Sequence, residues 1–451
     1  MTIKQIYDKP LAHGSYAIES NGKVALVDPG RDPQPYIDFA QEHNAKIVAV
    51  FETHPHADFT SSHLEFQKNF GAKIYVHPKV GVTYEYEKME HNDEVTIGDI
   101  RIRALFTPGH SPDHNSYLLM DKEGHQHAVF TGDSLFVGDV GRPDLREGAG
   151  NIQVSKLDLA EMMFDTINSV FTALEDDVIV YPAHGAGSLC GKNMSSDLQS
   201  TIGREKKQNW AFQFDDKEKF VESYLDGQPF IPKYFPHDVE LNREGLTDLT
   251  ESLAKVSYLL NGETLDEDLL VIDVRSEDRF KKGHLKGAIN IQNGENHKFE
   301  TWLGSIVGPD ERFYITADTK DELRFAVMRA AKIGYESNVK GAALLTGRQL
   351  IEDKKLDLDA FKENTSNYTI VDIRNKSEVE DGKIFDSAIN IPLHELRERA
   401  DEISENKLVV VHCAGGYRSA AGASILADKL NTQVYDLSDA IQEFKENAPV
   451  K

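Results

Sequence analysis

Two groups of residues in this chain have the types and spacing to do chemistry: histidines set among carboxylates, and a cysteine set beside two glycines and an arginine. His54, His56 and Asp58 stand in Thr53-His54-Pro55-His56-Ala57-Asp58. That places two imidazoles and a carboxylate on one short segment, as a transition-metal site requires. His110 in Thr107-Pro108-Gly109-His110, Asp133 in Thr131-Gly132-Asp133 and His184 in Tyr181-Pro182-Ala183-His184 are further donors of the same kind. Far along the chain, His412-Cys413-Ala414-Gly415-Gly416-Tyr417-Arg418-Ser419 has another chemistry. A cysteine between a strand end and a helix start meets backbone N–H groups that favour a nucleophilic thiolate. Gly415 and Gly416 let the backbone curl around an anion or a persulfide sulfur, and Arg418 adds a cationic fork.

Each donor follows an apolar run that reads as a strand. Lys46–Val50 leads into His54, Ile97–Phe106 into His110, Ser116–Gly132 into Asp133, Val178–Tyr181 into His184 and Lys407–Val411 into Cys413. Lys23–Asp28 and Lys73–His77 are further strands, and the apolar spacing of Lys156–Ala173 predicts a helix. A sheet scaffold that ends repeatedly in polar, metal-capable loops is the expected frame of a site.

The chain has 451 residues, enough for about three domains. Lys and Arg number 50 against 75 Asp and Glu, a net charge of −25, which repels phosphate backbones and argues against a nucleic-acid partner. No long apolar run predicts a membrane span and no apolar signal core opens the sequence, so the expected compartment is the cytoplasm. Cys190 and Cys413 are the two cysteines, each weighed singly as a buried filler or a reactive thiol. The C-terminal part repeats itself. Leu270–Arg275 with Gly287–Ile291 returns as Thr369–Arg374 with Ser387–Ile391, with Asp273 and Asp372 99 positions apart. That is one small α/β domain used twice. In the first copy Phe313–Asp318 stands where the cysteine loop belongs, with Ala317 near the cysteine position. This copy has no nucleophile and is expected to be a structural spacer or docking surface.

The histidine segments resemble the metallo-β-lactamase superfamily, and the Cys413 loop with the D-[VI]-R and AINI strands resembles rhodanese. The resemblance implies an α/β protein: an αββα sandwich over residues 1–235, a degenerate rhodanese-like domain over 245–350 and a complete one over 355–451. Hydrolases of the superfamily read HxHxDH and bind two metals. This chain reads HxHxDF, with Phe59 in the last place. The persulfide dioxygenases of the superfamily hold one Fe(II), and by that resemblance its ligands here are His54, His110 and Asp133. His56, Asp58 and His184 are then orienting groups or a weak second site. Gly138–Leu145 is similar to the segment that follows the ligand Asp in that branch, and its Arg142 either meets substrate or steadies the loop. Gly185–Lys192 resembles fusion-type members, so Cys190 is a further catalytic candidate. The implied catalytic pair of the rhodanese site is Cys413 and Arg418, with Gly415 and Gly416 holding the substrate sulfur. The implied reaction is oxidation of a low-molecular-weight thiol persulfide by O2 to sulfite and thiosulfate, by a homo-oligomer with one iron per chain. The alternative is a zinc-dependent, glyoxalase-II-like thioester hydrolase.

Overall fold

A computed structural model of the chain describes residues 1–147, 150 and 153–445. The chain divides into two compact units, Met1–Ser252 with Lys332–Gly334, and Leu253–Ala331 with Tyr335–Lys451. Among the described residues no helix is long and apolar enough to cross a membrane.

The first unit contains two six-stranded mixed sheets. One runs in sequence order from Thr2–Asp8 to Glu87–Lys88. The other runs from Ser200–Thr201 at one edge to Glu94–Ile97 at the opposite edge. Alternation along the strands gives each sheet two apolar faces. Tyr16, Ile18, Val27 and Phe51 of the first sheet meet Ile102, Tyr117, Leu119 and Phe130 of the second in a buried interlayer. The outer face of the first sheet buries Tyr36 and Phe39 of helix Gln34–Glu42 and Phe66 of helix His63–Phe70. The outer face of the second buries Met163 and Ile167 of helix Lys156–Ser169. The layers are therefore αββα. The runs Ile97–Phe106 and Ser116–Gly132 fall in two hairpins, which the structure extends to Glu94–Phe106 and Asn115–Gly132.

The first unit reaches further than expected. A boundary at residue 235 would leave out helix Phe235–Glu244, which begins at Phe235 and belongs to this unit. Its Asn242 is buried against the histidine segment.

The second unit holds two parallel sheets. Tyr258–Leu259, Val339–Leu344, Phe313–Ala317, Leu270–Asp273 and Ile289–Asn290 make the five-stranded one. Ile389–Asn390, Tyr368–Asp372, Leu408–His412 and Val434–Asp436 make the four-stranded one. The pairing register locates the missing nucleophile. Asp273 pairs with Thr316, and Asp372 pairs with His412. Ala317 thus stands where the second copy has Cys413.

Candidate metal centre and cysteine loop

Four strand ends deliver the donors of the first unit: Lys46–Phe51, Ile100–Phe106, Gln126–Gly132 and Ile179–Pro182. His54, His110 and Asp133 converge and are all buried. His54 Nε2 lies 3.9 Å and His110 Nε2 3.6 Å from Asp133 Oδ2. All three ligand atoms lie within 4.8 Å of one another, close enough to converge on one ion. Burial pushes the His54 imidazole well down, helped by His56 and His114, and lowers His110. Both rings are thereby held neutral, the state that binds metal.

The hydrogen bonds around these rings fix which nitrogen is free. The His54 Nδ1–H donates to Thr53 Oγ1 at 3.0 Å, and Thr53 Oγ1 donates to Asp28 Oδ2 at 2.9 Å. The His110 Nδ1–H donates to the Arg142 carbonyl at 2.8 Å. Each Nε2 lone pair is left facing Asp133, the usual arrangement behind metal-bound histidine. His54 Nε2 and both Asp133 oxygens have no hydrogen-bond partner among the described residues, although all are buried. Orphaned polar atoms in a dry interior are costly unless something binds them. This donor set fits a metal ion.

Asp133 has a second face. His184 Nε2 lies 3.5 Å from Asp133 Oδ1 and 3.3 Å from Asp58 Oδ1. The two carboxylates outweigh burial and raise His184 to about 9. His56 approaches the same cluster, with its Nε2 3.4 Å from Asp28 Oδ1. Phe59 is buried and stacks on His13, ring centroids 3.7 Å apart, and its ring lies 4.4 Å from His56. An aromatic stack thus occupies the place where a hydrolase of the HxHxDH type has its last histidine. Cys190 brings its sulfur to Asp58 and His184. Burial, then the Asp58 and Asp133 carboxylates, push this thiol well up.

Several residues that hold the centre carried no signal in the sequence reading. Asp28 has a left-handed φ of 48°, and its carboxylate accepts from Thr53 N at 2.7 Å. Asn242 donates to the His56 and Phe59 carbonyls at 2.8 and 2.7 Å and accepts from Ser61 N at 2.7 Å. His114, four residues after His110, accepts from the Asp133 N–H at 3.2 Å. Gly132 packs so closely that a Cβ there would sit 2.5 Å from His114 Nε2 and from Thr53 Oγ1. Arg146 makes a buried bidentate pair with Asp113, at 3.0 and 2.8 Å, which braces the His110 loop.

Arg142 is 1% exposed, and its donors are spent inside the protein. It binds Asp144 at 2.7 and 2.6 Å, with the Leu189, Phe230 and Pro229 carbonyls completing the set. Of the two roles open to Arg142, meeting substrate or steadying the loop, these bonds favour the loop, because no guanidinium N–H is left to offer.

In the second unit, Cys413 follows strand Leu408–His412 and precedes helix Tyr417–Lys429. The Gly416 N–H donates to Cys413 Sγ at 3.2 Å. Gly416 has a φ of 97°, and a Cβ there would sit 2.5 Å from Asp439 Oδ1, so only glycine turns this corner. Gly415 is exposed at the loop tip. Arg418 reaches Cys413 but is also clamped by Glu378, two bonds of 2.6 Å, and lies 5.8 Å from the centre of the Trp302 ring. Tyr417 Oη donates to the Gln292 carbonyl at 3.2 Å. The first copy therefore buttresses the loop of the second and does more than space it.

The same ion pair recurs in the first copy with its charges exchanged. Arg279, 99 positions before Glu378, binds Glu322 at the start of helix Lys320–Ala331 at 2.6 Å. Asp318, just after Ala317, accepts from Arg275 and Arg279, both at 3.0 Å. A partly exposed ion-pair cluster stands where the second copy has its cysteine loop.

The metallo-beta-lactamase superfamily model matches residues 8–184, and the rhodanese-like domain model matches residues 255–343 and 357–447. A metallo-beta-lactamase structure from Staphylococcus aureus subsp. aureus COL is 31% identical, with a TM-score of 0.68, covering 76% of this chain and 98% of its own. The cytoplasmic hydroxyacylglutathione hydrolase of Arabidopsis thaliana is 34% identical over 186 residues, 40% of this chain and 67% of the relative. The ETHE1 structure from Myxococcus xanthus is 26% identical, with a TM-score of 0.46, over 54% of this chain and 98% of its own.

Proposed function

From a chain that belongs to the metallo-beta-lactamase superfamily and carries two rhodanese-like domains, we propose a cytoplasmic persulfide dioxygenase joined to a sulfurtransferase. The observation that carries this reading is Phe59. It removes a donor from the second face of Asp133 and leaves His54, His110 and Asp133 as the complete set on the first. Two imidazoles and one carboxylate on one side of an ion suit a non-haem iron oxygenase. Fe(II), one per chain, would supply open positions for O2 and the persulfide sulfur.

The overall reaction is RSSH + O2 + H2O → RSH + SO3²⁻ + 2H⁺, with the outer sulfur oxidised and O2 reduced. The chain's own groups orient the donors. Asp28 and Thr53 fix the His54 ring, the Arg142 carbonyl fixes His110, and His114 fixes the Asp133 backbone. The stacked Phe59 and His13 rings exclude water from one flank. At the second site the Cys413 thiolate attacks the outer sulfur of a persulfide. The S–S bond breaks, the thiol leaves with a proton, and Cys413 holds a persulfide. The Gly416 N–H faces that sulfur. Sulfite then takes the outer sulfur, releasing thiosulfate and regenerating the Cys413 thiolate.

A zinc-dependent thioester hydrolase is the second reading. The bridging posture of Asp133 and the hydroxyacylglutathione hydrolase relative favour it. Metal analysis on anaerobically purified protein, with O2 uptake, separates the two. About one iron per chain and persulfide-dependent O2 uptake are expected. His54→Ala should abolish that uptake and leave sulfur transfer from thiosulfate to cyanide intact. Zinc in the His54 site, with thioester hydrolysis and no O2 uptake, refutes the proposal.

A further inference from the structure

Arg329 is a buried charge with no part in the chemistry above. It stands near the end of helix Lys320–Ala331, in the copy without a cysteine, and is 1% exposed. Its Nε–H and one Nη–H bind the two oxygens of Glu300, which is fully buried. The rest of the fork goes to one segment. It donates to Asn293 Oδ1 at 2.7 Å, to the Gly294 carbonyl at 3.0 Å and to the His297 carbonyl at 2.6 Å. Phe299 and Phe325 flank the guanidinium, with ring centres 5.4 and 5.7 Å away. Stability alone does not call for this charge, because apolar side chains of similar size in place of a buried ion pair are often neutral or stabilising. What the guanidinium adds is a rigid fork that fixes three points of the 292–298 segment.

The same segment leans on the cysteine loop of the other copy, within the second unit. The Gln292 carbonyl accepts from Tyr417 Oη at 3.2 Å, and the His297 ring lies 4.5 Å from the Tyr417 ring. His297 is itself held, since its Nδ1 accepts from the Gly294 N–H at 3.2 Å. Arg329 and Glu300 are close enough for both charges to act on the Tyr417 phenol. Tyr417 opens helix Tyr417–Lys429 and sits between Gly416, whose N–H faces Cys413 Sγ, and Arg418, which reaches the same sulfur.

We propose that Arg329 is a positioning residue for sulfur transfer at Cys413. It fixes the 292–298 segment, that segment fixes Tyr417, and Tyr417 sets where the Gly416 N–H and the Arg418 guanidinium stand against the transferred sulfur. A misplacement of about 1 Å at a reacting centre can cost about a hundredfold, so even a small shift of Tyr417 is readable as rate. This role rests on the sulfur-transfer half of the proposed function and is independent of the metal centre.

The test uses full-length protein and follows sulfur transfer from thiosulfate to cyanide. Rates are counted per Cys413 that takes up sulfur from excess thiosulfate, read by mass, so that unfolded chains do not enter. Arg329→Met together with Glu300→Met removes the fork and leaves no lone buried charge. Tyr417→Phe removes only the hydroxyl bond to Gln292. Each change should lower kcat about three- to tenfold with KM within about twofold, the signature of a contact that matters only as the sulfur moves. The combined variant should be no slower than the slower of the two, because both cut one path. Arg329→Lys keeps a charge opposite Glu300 but has no fork, so it should lose rate in the same way, and it covers the case in which the methionine pair does not fold. Losses that multiply in the combined variant, or rates within about twofold of wild type in the separate ones, overturn the proposal. If wild-type Cys413 takes up no sulfur, the sulfurtransferase reading fails by itself. Iodoacetamide labelling of Cys413 in the same proteins then decides the positioning role, with the same non-additivity expected.

Discussion

Asn242→Ala should loosen the segment that carries the metal donors without touching His54, His110 or Asp133. The Asn242 side chain is 4% exposed and makes three bonds of 2.7–2.8 Å to the backbone of His56, Phe59 and Ser61. Each such bond is worth about 1 kcal/mol net, and each buried backbone group left unpaired costs about 1–3 kcal/mol. Three together come to about 3 kcal/mol if water enters and about 6 kcal/mol if the site stays dry. Domain stabilities are about 5–15 kcal/mol, so the unit should still fold, with a large part of its margin gone. The chain has two tryptophans, Trp210 in the first unit and Trp302 in the second. In a Trp302→Phe background the fluorescence reports only the first unit. Denaturant unfolding of the metal-free protein should show the loss, and metal retention after dialysis should fall with it. A change under about 1 kcal/mol, with metal retention unchanged, would mean that these bonds do not organise the site.

Cys413→Ser should keep persulfide-dependent O2 uptake within about fivefold of wild type, a barrier change of about 1 kcal/mol, and shift the product from thiosulfate to sulfite. Chromatography of the labelled sulfur anions reads this, and an unchanged thiosulfate fraction refutes the coupling. Ala317→Cys in a Cys413→Ser background should gain no sulfur transfer to cyanide, because Asp318 and Glu322 with their arginines fill that loop. Measurable activity there means the first copy has been misread. His63 is buried, and burial, with Arg31, lowers it to about 3. Between about 6.5 and 3 the unfolded chain takes a proton there and the folded chain does not, so the stability His63 contributes is lost as pH falls. By pH 5, acid should cost the wild type about 2 kcal/mol more than His63→Gln, compared by denaturant unfolding at pH 7 and pH 5. Equal losses in both proteins refute the assignment.

The alternation of apolar residues, and their abrupt replacement by His and Asp at strand ends, made the two scaffolds and their donors legible in one dimension. Hydrophobic period and donor identity are local properties, and His54, His110, Asp133 and Cys413 carry both. The repeat was legible for the same reason, since Asp273 and Asp372 sit in matching strand ends. Tertiary structure alone decided which charges and polar groups meet. Arg142 reads as an available cation until its guanidinium is seen wrapped in Asp144 and three carbonyls. Asn242 is an unremarkable polar residue on a helix until that helix is laid against the His56 segment, more than 180 positions away. Cys190 stands beside Asp58 and His184 only because a distant loop brings its sulfur there. Hydrogen-bond satisfaction is a property of the folded interior, where a group far along the chain can be the nearest neighbour, and no local pattern encodes it.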